Sequence, residues 1–498
     1  SACLVGSEMC IRDRYYMEDN NMKRGLKSRH ISMIAIGGAI GTGLFVATGS
    51  VVSQAGPGGA ILAYLLIGIM LYFLMSSIGE LATFYPVSGS FSSYATRFID
   101  PSIGFTMGWL YYILWSLVSS VDVMVASNVL FYWDVFKIFS PLVWSLIFIT
   151  IIFLLNIFTV KAFGETEFWL SLIKVVTIIV FIVVGILMIF GILGGHTYGF
   201  ENYTKGEAPF VGGLSGFLAV LLVAGFSVGG TEVVAVTAGE SDNPEKTMPR
   251  AVKQVFWRIL LFYVLSIVVI AAIIPYTDPL LLNKNQSVSQ SPFTIVFDRI
   301  GIAFAASIIN AVILTSLLSA ANSGMYTTSR MLFSLSDEKQ APKFLSKLNN
   351  KTKLPMRSLV TTYILVVAII ILANFYANAV FSLLNIIGSL VIIVWAISAW
   401  AQIRLRRGIK RQGKDINTLL PYKSPLFPLG PIIVFATLIF LYFGNSIGDL
   451  FSGNIGDFFV NIMPLIVLAI IFIVHKLIRK TKFVKLDHMD LTAHHYHD

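Results

Sequence analysis

The chain has 498 residues, of which 56% are hydrophobic and only 12% charged, with a mean hydropathy of +0.79 and a formal net charge of +10. Soluble domains carry roughly 25% charged residues, so the composition excludes an ordinary soluble domain and describes a polytopic membrane protein. The excess of positive charge would also suit a nucleic-acid surface, and only its placement along the chain separates the two.

Residues 1–21 form an N-terminal extension. Its first part, "SACLVGSEMCIRDRYY", has no apolar core of the roughly 7–15 residues that a signal peptide needs. It reads either as a disordered native tail or as a non-native extension with translation starting at Met17 or Met22. Both cysteines, Cys3 and Cys10, lie there, so no disulfide is expected in the membrane body. Beyond it, twelve segments have the roughly 20 apolar residues that a spanning helix needs: 31–52, 58–80, 104–131, 142–160, 166–192, 212–236, 257–275, 300–334, 357–374, 377–402, 426–444 and 457–477. These long continuous runs predict an all-α protein with twelve transmembrane helices, since barrel strands would be short and alternating.

With the N-terminus inside, the inner segments hold the tail cations from Lys23 to Arg29, Arg97, Lys161, Lys246 to Arg258, Arg330 to Arg357, Arg404 to Lys423, and Lys476 to Lys485. The outer loops hold only Lys137, Lys205, Lys284 and Arg299. This asymmetry follows the positive-inside rule and predicts that both termini are cytoplasmic. The positive charge is therefore expected to face the inner side of a cell membrane, with no nucleic-acid partner.

Two segments carry glycine clusters. The first contains "GGAIGTGLF", Gly37 to Phe45, and the sixth contains "AGFSVGGTE", Ala224 to Glu232. A glycine inside a helix costs roughly 0.5–1 kcal/mol relative to alanine, so each cluster marks a helix expected to break. These are the opening members of two consecutive sets of five segments, the pattern of a transporter with inverted repeats. The organisation expected is a first repeat over 31–192, a second, inverted repeat over 212–402, two further spans over 426–477, and a cytoplasmic tail over 478–498.

Where a membrane helix unwinds, its freed amides and carbonyls need partners that lipid cannot offer. A zwitterionic solute supplies both. The amides of Thr42 and Gly43, opening the second half-helix, suit a carboxylate at the positive end of a helix dipole, and the carbonyls of Ala39, Phe226 and Gly229 suit an ammonium. The Phe226 ring is a candidate gate over the solute, or simply core packing. Gly37 and Gly41 also form a G-x-x-x-G packing pair, so helix packing stands beside ligand binding as a reason for the cluster. A nucleotide-binding glycine loop lacks its preceding strand.

Charges inside membrane spans are costly and functional by default. Lys174 lies about 13 Å into its span at 1.5 Å per residue, and is expected either to carry a coupling proton or to be permanently paired. Asp122 and Glu232 are the other deep charges; each can meet a cationic substrate group or pair with Lys174, and Glu232 also has a candidate role in proton coupling. Glu80 and Glu240 lie near the cytoplasmic edge, as solvated helix ends or gating groups. His488, His494, His495 and His497 fall in the tail, which reads as solvated or as a weak metal-binding cluster. No catalytic triad, carboxylate pair or Walker loop stands in a catalytic context, so no enzyme activity is expected.

The stretches "GGAIGTGLF", "FYPVSGSFSSYATRFIDPSIGFTMGW", "GFSVGGTE", "AGESDNPEKTMPRAV" and "LSAANSGMYTTSRMLFSL" together resemble the bacterial amino acid transporter family of the amino acid, polyamine and organocation superfamily. The resemblance runs from about Gly25 to the last span, leaving the first 16 residues outside it. It implies a leucine-transporter-type fold with discontinuous helices 1 and 6, and a proton-coupled importer working by alternating access. Thr42 and Gly43 match the family's carboxylate-binding amides, and Ala39, Phe226 and Gly229 its ammonium-binding carbonyls. Phe226 also matches the aromatic gate, Glu232 the acidic residue after the second break, and Lys174 the lysine standing where sodium-coupled relatives bind an ion. The resemblance thus implies that a proton gradient, with no cofactor or metal, drives transport. Two further stretches, "QVFWRILLFYVLSIVVIAAIIPYTDPLLL" and "GKDINTLLPYKSPLFPLGPI", point to L-lysine as substrate. Arginine, histidine or a neutral amino acid remains the alternative, as does a lysine-binding membrane sensor docking a regulatory protein partner.

Overall fold

Lipid offers backbone groups no hydrogen bonds, and the chain answers with helix nearly throughout. The structure, a computed structural model, describes residues 26–38, 40–87, 89–158, 160–238, 241, 243–282, 291–301, 304–376, 379–451 and 455–492, without the side chains of 160–162, 222, 226, 282, 381, 385, 444–457 and 459–461. The extension 1–21, Ala39, Glu240, Lys284, His494, His495 and His497, with the side chains of Lys161 and Phe226, therefore lie outside the described residues.

Apart from short helices at Pro279–Leu282, Pro292–Asp298 and Ile416–Leu419, the described α-helices in chain order are α1 (Ser28–Met33), α2 (Gly43–Phe84), α3 (Ser90–Phe98), α4 (Pro101–Leu130), α5 (Pro141–Ile157), α6 (Val160–Ile189), α7 (Gly213–Ser227), α8 (Val233–Thr237), α9 (Pro244–Ile273), α10 (Ala305–Asp337), α11 (Met356–Ala373), α12 (Ala379–Arg411), α13 (Leu429–Phe451) and α14 (Ile455–Arg479). Eight of the described helices are long and apolar enough to cross a membrane, and three shorter apolar helices lie at Pro141–Ile157, Gly213–Gly225 and Leu429–Phe443. One of the eight, α2, covers the end of the first expected segment and all of the second, and it kinks at Gly56–Pro57.

Several boundaries follow from caps rather than from hydropathy. Asp100 accepts from the Ser102 amide at 2.8 Å with Pro101 at the first helical position, and Asn243 accepts from the Lys246 amide at 3.2 Å ahead of Pro244. The cap at Asn243 starts α9 well before the expected 257, because its first turns are amphipathic: Met248, Ala251, Val252 and Val255 are buried while Glu245 and Lys246 are exposed.

Helix α4 runs through the middle of the bundle and packs along α10. Small residues set their spacing, since a Cβ added at Gly324 of α10 would stand 2.2 Å from the Ser119 hydroxyl of α4. Helix α6 is inverted relative to a soluble amphipathic helix. It exposes Trp169, Ile173, Val176, Val180 and Val183 on its outer face and buries Glu167, Ser171 and Lys174 on the inner one. Lipid accepts the apolar face, so the polar face must find its partners inside the protein.

Three expectations about surface charge change. Glu80 is no solvated helix end: it is fully buried, with Arg406 Nε donating to Oε1 at 2.8 Å, the Ser424 amide to Oε2 at 2.7 Å and Gln402 to Oε1 at 3.1 Å. Arg258 and Arg330, counted with the inner loops, are 2% exposed and belong to the interior. The tail is docked as far as Thr492, although His488 and most of its side chains stay exposed. The Val484 amide donates to the Ile99 carbonyl at 2.9 Å, Gln412 donates to the carbonyls of Leu486 and Met489, Arg97 donates to the Thr492 carbonyl at 2.6 Å, and Met489 and Leu491 are buried.

The Glu80 cluster carries a prediction. Breaking a buried pair strands the remaining charge at a cost of about 3–5 kcal/mol. Arg406→Ala should accordingly lower the thermal midpoint of the detergent-purified protein, and adding Glu80→Gln should recover most of the loss. A double variant no more stable than Arg406→Ala would show that the ion pair is not what Arg406 contributes.

Candidate substrate site

Both glycine clusters break their helices. After α1 the chain makes a wide helical turn over Ile34–Gly38, and helix resumes at Gly43. Helix α7 ends at Ser227, and turns lead to Glu232 before α8. Gly230 has φ +87°, a left-handed conformation that a side chain would strain.

The two breaks face each other. A Cβ on Gly43 would stand 2.4 Å from the Ser227 Cα and 2.7 Å from its carbonyl oxygen, so the two backbones touch. Tyr263 donates to the Ser227 carbonyl at 2.9 Å and Tyr64 to its hydroxyl at 2.9 Å, fixing the end of α7. The packing role of the first cluster holds as well: a Cβ on Gly37 would meet the Ser171 Cβ at 2.5 Å, and one on Gly41 the Ala320 Cβ at 3.0 Å.

A cavity opens between the breaks. Gly41, Thr42 and Gly43 line it on one side, Gly229, Gly230 and Glu232 on the other. Trp115, Val118 and Asp122, spaced i, i+3 and i+7 on α4, form a third wall. Apolar cover comes from Ile387 and Val391 of α12. Of the residues expected at the site, Thr42, Gly43, Gly229, Glu232 and Asp122 thus meet around one space. Phe226 lies in α7 directly before Ser227, with its ring outside the described side chains, and Ala39 lies outside the described residues.

The deep charges are arranged differently from the expected Lys174 pairings. Asp122 accepts from the Thr42 hydroxyl at 2.8 Å. Glu232 Oε2 accepts from the Gly230 amide at 3.1 Å and the Trp395 indole at 3.3 Å, while Oε1 finds no hydrogen-bond partner among the described residues. The ion-pair partner of Lys174 is neither of these but Glu167, at 3.9 Å. Lys174 itself donates to the Gly37 carbonyl at 3.0 Å, and Arg258 donates to the Ala35 carbonyl at 2.8 Å. Two buried cations therefore sit on the last carbonyls before the first break, the negative end of that half-helix.

Glu167, Arg258, Trp115 and Trp395 were missed in the sequence. Glu167 had a signal, standing seven residues before Lys174 on the same face of a predicted helix. Arg258 was masked by the positive-inside count. The tryptophans looked like any aromatic residue in an apolar run.

Two apposed helix breaks and buried charges thus surround one cavity in a helix bundle, and comparison with known proteins gives the family. The amino acid permease family profile matches residues 30–488. The chain is 46% identical over 477 residues to the lysine-specific permease LysP of Escherichia coli strain K12, covering 95% of this chain and 97% of that protein. It is 46% identical over 499 residues to the lysine-specific permease LysP of Lactococcus lactis subsp. cremoris strain MG1363, covering 97% of each. It is 45% identical over 475 residues to the histidine permease HisP of the same strain, covering 95% of this chain and 98% of that protein. The chain belongs to the amino acid permease family, as an integral membrane transporter and not an enzyme.

Proposed function

We propose that this protein imports L-lysine together with protons by alternating access, through twelve spans whose first ten form two inverted five-helix repeats, with both termini cytoplasmic. The backbone contact of Gly43 with Ser227, both lining the cavity, is the observation that carries the reading, because it brings one helix start and one helix end within reach of a single small solute. The substrate carboxylate sits on the Thr42 and Gly43 amides, where the helix dipole favours an anion. Its α-ammonium uses carbonyls near Ala39, Phe226 and Gly229, since Ala35 and Gly37 already hold Arg258 and Lys174. Glu232, with one carboxylate oxygen unpartnered among the described residues, is the acceptor for the side-chain ammonium. Asp122, held by Thr42, links the carboxylate end of the site to α4. Lys174 carries the coupling proton beside the first half-helix.

Lysine is favoured as cargo by two relatives named lysine-specific permeases, and histidine is kept as the second reading by a third relative of nearly equal identity. The test is uptake of radiolabelled lysine into proteoliposomes under an inward proton gradient, with unlabelled lysine, arginine, histidine and neutral amino acids as competitors and a sodium gradient as control. Proton-driven accumulation blocked chiefly by lysine is expected. Stronger block by histidine would replace the substrate and keep the mechanism, whereas specific binding without accumulation would favour a sensor docking a regulatory partner.

A further inference from the structure

Behind Lys174 lies a carboxylate that this transport scheme does not use. Glu167, Ser171 and Lys174 follow one another at i, i+4 and i+7 on the inner face of α6, and all three are fully buried. Glu167 Oε1 accepts from the Ser319 hydroxyl of α10 at 2.6 Å and stands 3.9 Å from the Lys174 amine. Its Oε2 faces the Asn322 amide of α10 at 3.5 Å, and Asn322 in turn accepts from Asn156 of α5 at 2.8 Å. A carboxylate kept from water is costly unless it is paired and hydrogen-bonded. Here a hydroxyl on a long, straight helix holds it in place, within reach of a single cation.

That cation has two acceptors of different character. The Gly37 carbonyl, at 3.0 Å, belongs to a short half-helix that ends at a break. The Glu167 carboxylate, on the same helix as the lysine, is tethered to α10. An ammonium has three donors, and the 3.9 Å separation is about an ångström beyond a charged hydrogen bond. The other charged groups in the field of Lys174 are Asp122 of α4 and Arg258 of α9. Asp122 already accepts from Thr42, and Arg258 is a cation held on Ala35. Glu167 also stands nearer: among the described residues it is the carboxylate within 4 Å of the Lys174 amine, and Asp122 is not, so it is the one to which the lysine can turn if the Gly37 carbonyl withdraws.

We propose that Glu167 is the second seat of Lys174: when the first half-helix moves and takes the Gly37 carbonyl with it, the ammonium closes on the carboxylate that Ser319 holds. Glu167 is a positioning residue, touching no substrate and acting only through Lys174. This rests on the coupling role proposed for that lysine. Without a second seat, movement of the half-helix would strand a buried cation; with one, the movement is open to the protein while Lys174 carries its proton.

Glu167→Gln tests the idea, because it keeps the shape and the Ser319 bond and removes only the charge. The purified full chain in proteoliposomes is assayed for equilibrium binding of radiolabelled L-lysine, lysine counterflow, and uptake on an imposed proton gradient across a range of external pH. Expected are binding and counterflow within about twofold of the parent, with proton-driven accumulation reduced about 5- to 150-fold, the range of ordinary coupling between sites, and a flattened pH profile. Ser319→Ala, which loosens the carboxylate without removing it, should show a smaller loss in the same direction, and it replaces Glu167→Gln if that variant does not fold. Unchanged accumulation and pH profile would overturn the proposal. So would an equal loss of binding, counterflow and accumulation, which marks a structural anchor. Lys174→Ala is run beside it: if that variant still accumulates lysine on the proton gradient, the coupling reading falls and takes this one with it. If Lys174→Ala loses accumulation while Glu167→Gln keeps it, only the assignment of Glu167 falls.

Discussion

Gly43→Val is expected to bind no detectable substrate and to transport none. The first carbon of the new side chain would lie 2.4 Å from the Ser227 Cα and 2.7 Å from its carbonyl oxygen. Those atoms are backbone, and Tyr263 holds the carbonyl while Tyr64 holds the Ser227 hydroxyl, so they cannot swing aside as a side-chain tip would. The strain can be relieved only by separating the two breaks, which opens the cavity that the substrate must bridge. Overpacking of this kind costs roughly 1–3 kcal/mol and more where only backbone stands in the way. Since each 1.4 kcal/mol is about tenfold in affinity, a loss of about 100-fold follows at the upper end of that range, which the backbone contact here selects. Binding of radiolabelled lysine to the detergent-purified variant, with its thermal midpoint as a control for folding, measures this. Parent-like affinity in a folded variant would remove the Thr42–Gly43 amides from the carboxylate role.

Lys174→Ala should separate binding from accumulation. Among the described residues the Lys174 hydrogen bond goes to the Gly37 carbonyl, outside the cavity lining, and that carbonyl keeps the Ile40 amide at 3.1 Å without it. Binding therefore survives, while uptake loses its response to the proton gradient by about 100-fold, near the upper end of coupling energies, and a sodium gradient does not restore it. A stability effect accompanies this. Removing the lysine strands Glu167 as a buried carboxylate, at about 3–5 kcal/mol, so Lys174→Ala should melt below the parent and the double variant with Glu167→Gln should regain most of the difference. Proton-driven accumulation by Lys174→Ala would end the coupling role.

Much of this site was legible in the sequence because membrane chains write their exceptions plainly. A glycine cluster or a charge in an apolar run has few structural uses, and on that ground Thr42, Gly43, Gly229, Glu232, Asp122 and Lys174 could be picked out before any coordinates. The partners of those charges were not legible. Glu167 stood only a residue or two inside its segment, where a carboxylate looks solvated, and Arg258 sat where cytoplasmic cations are expected. Hydropathy reports how far a segment can span but not which face turns inward, so the pairing of α6 with α10, and with it the Glu167–Ser319 bond, needed the packed structure. The burial of Glu80 went astray for the same reason, since other helices cover it instead of water, whereas the start of α9 at Pro244 was missed because its amphipathic first turns make no apolar run.

The docked tail also bears on how the molecule is made. Arg97 and the Thr492 that it holds lie 395 positions apart in the chain, and Asp100, which caps α4, takes its Lys476 partner from 376 positions later. At roughly 5–20 residues per second, about 20–80 s of synthesis separate each early group from its late one. Through that interval Asp100 keeps its cap bond to the Ser102 amide but lacks Lys476, and the Ile99 carbonyl lacks the Val484 amide. The stretch after α14 supplies the partners of Ile99 and Arg97, so a nascent chain stalled after α14 would hold Lys476 and lack those two bonds.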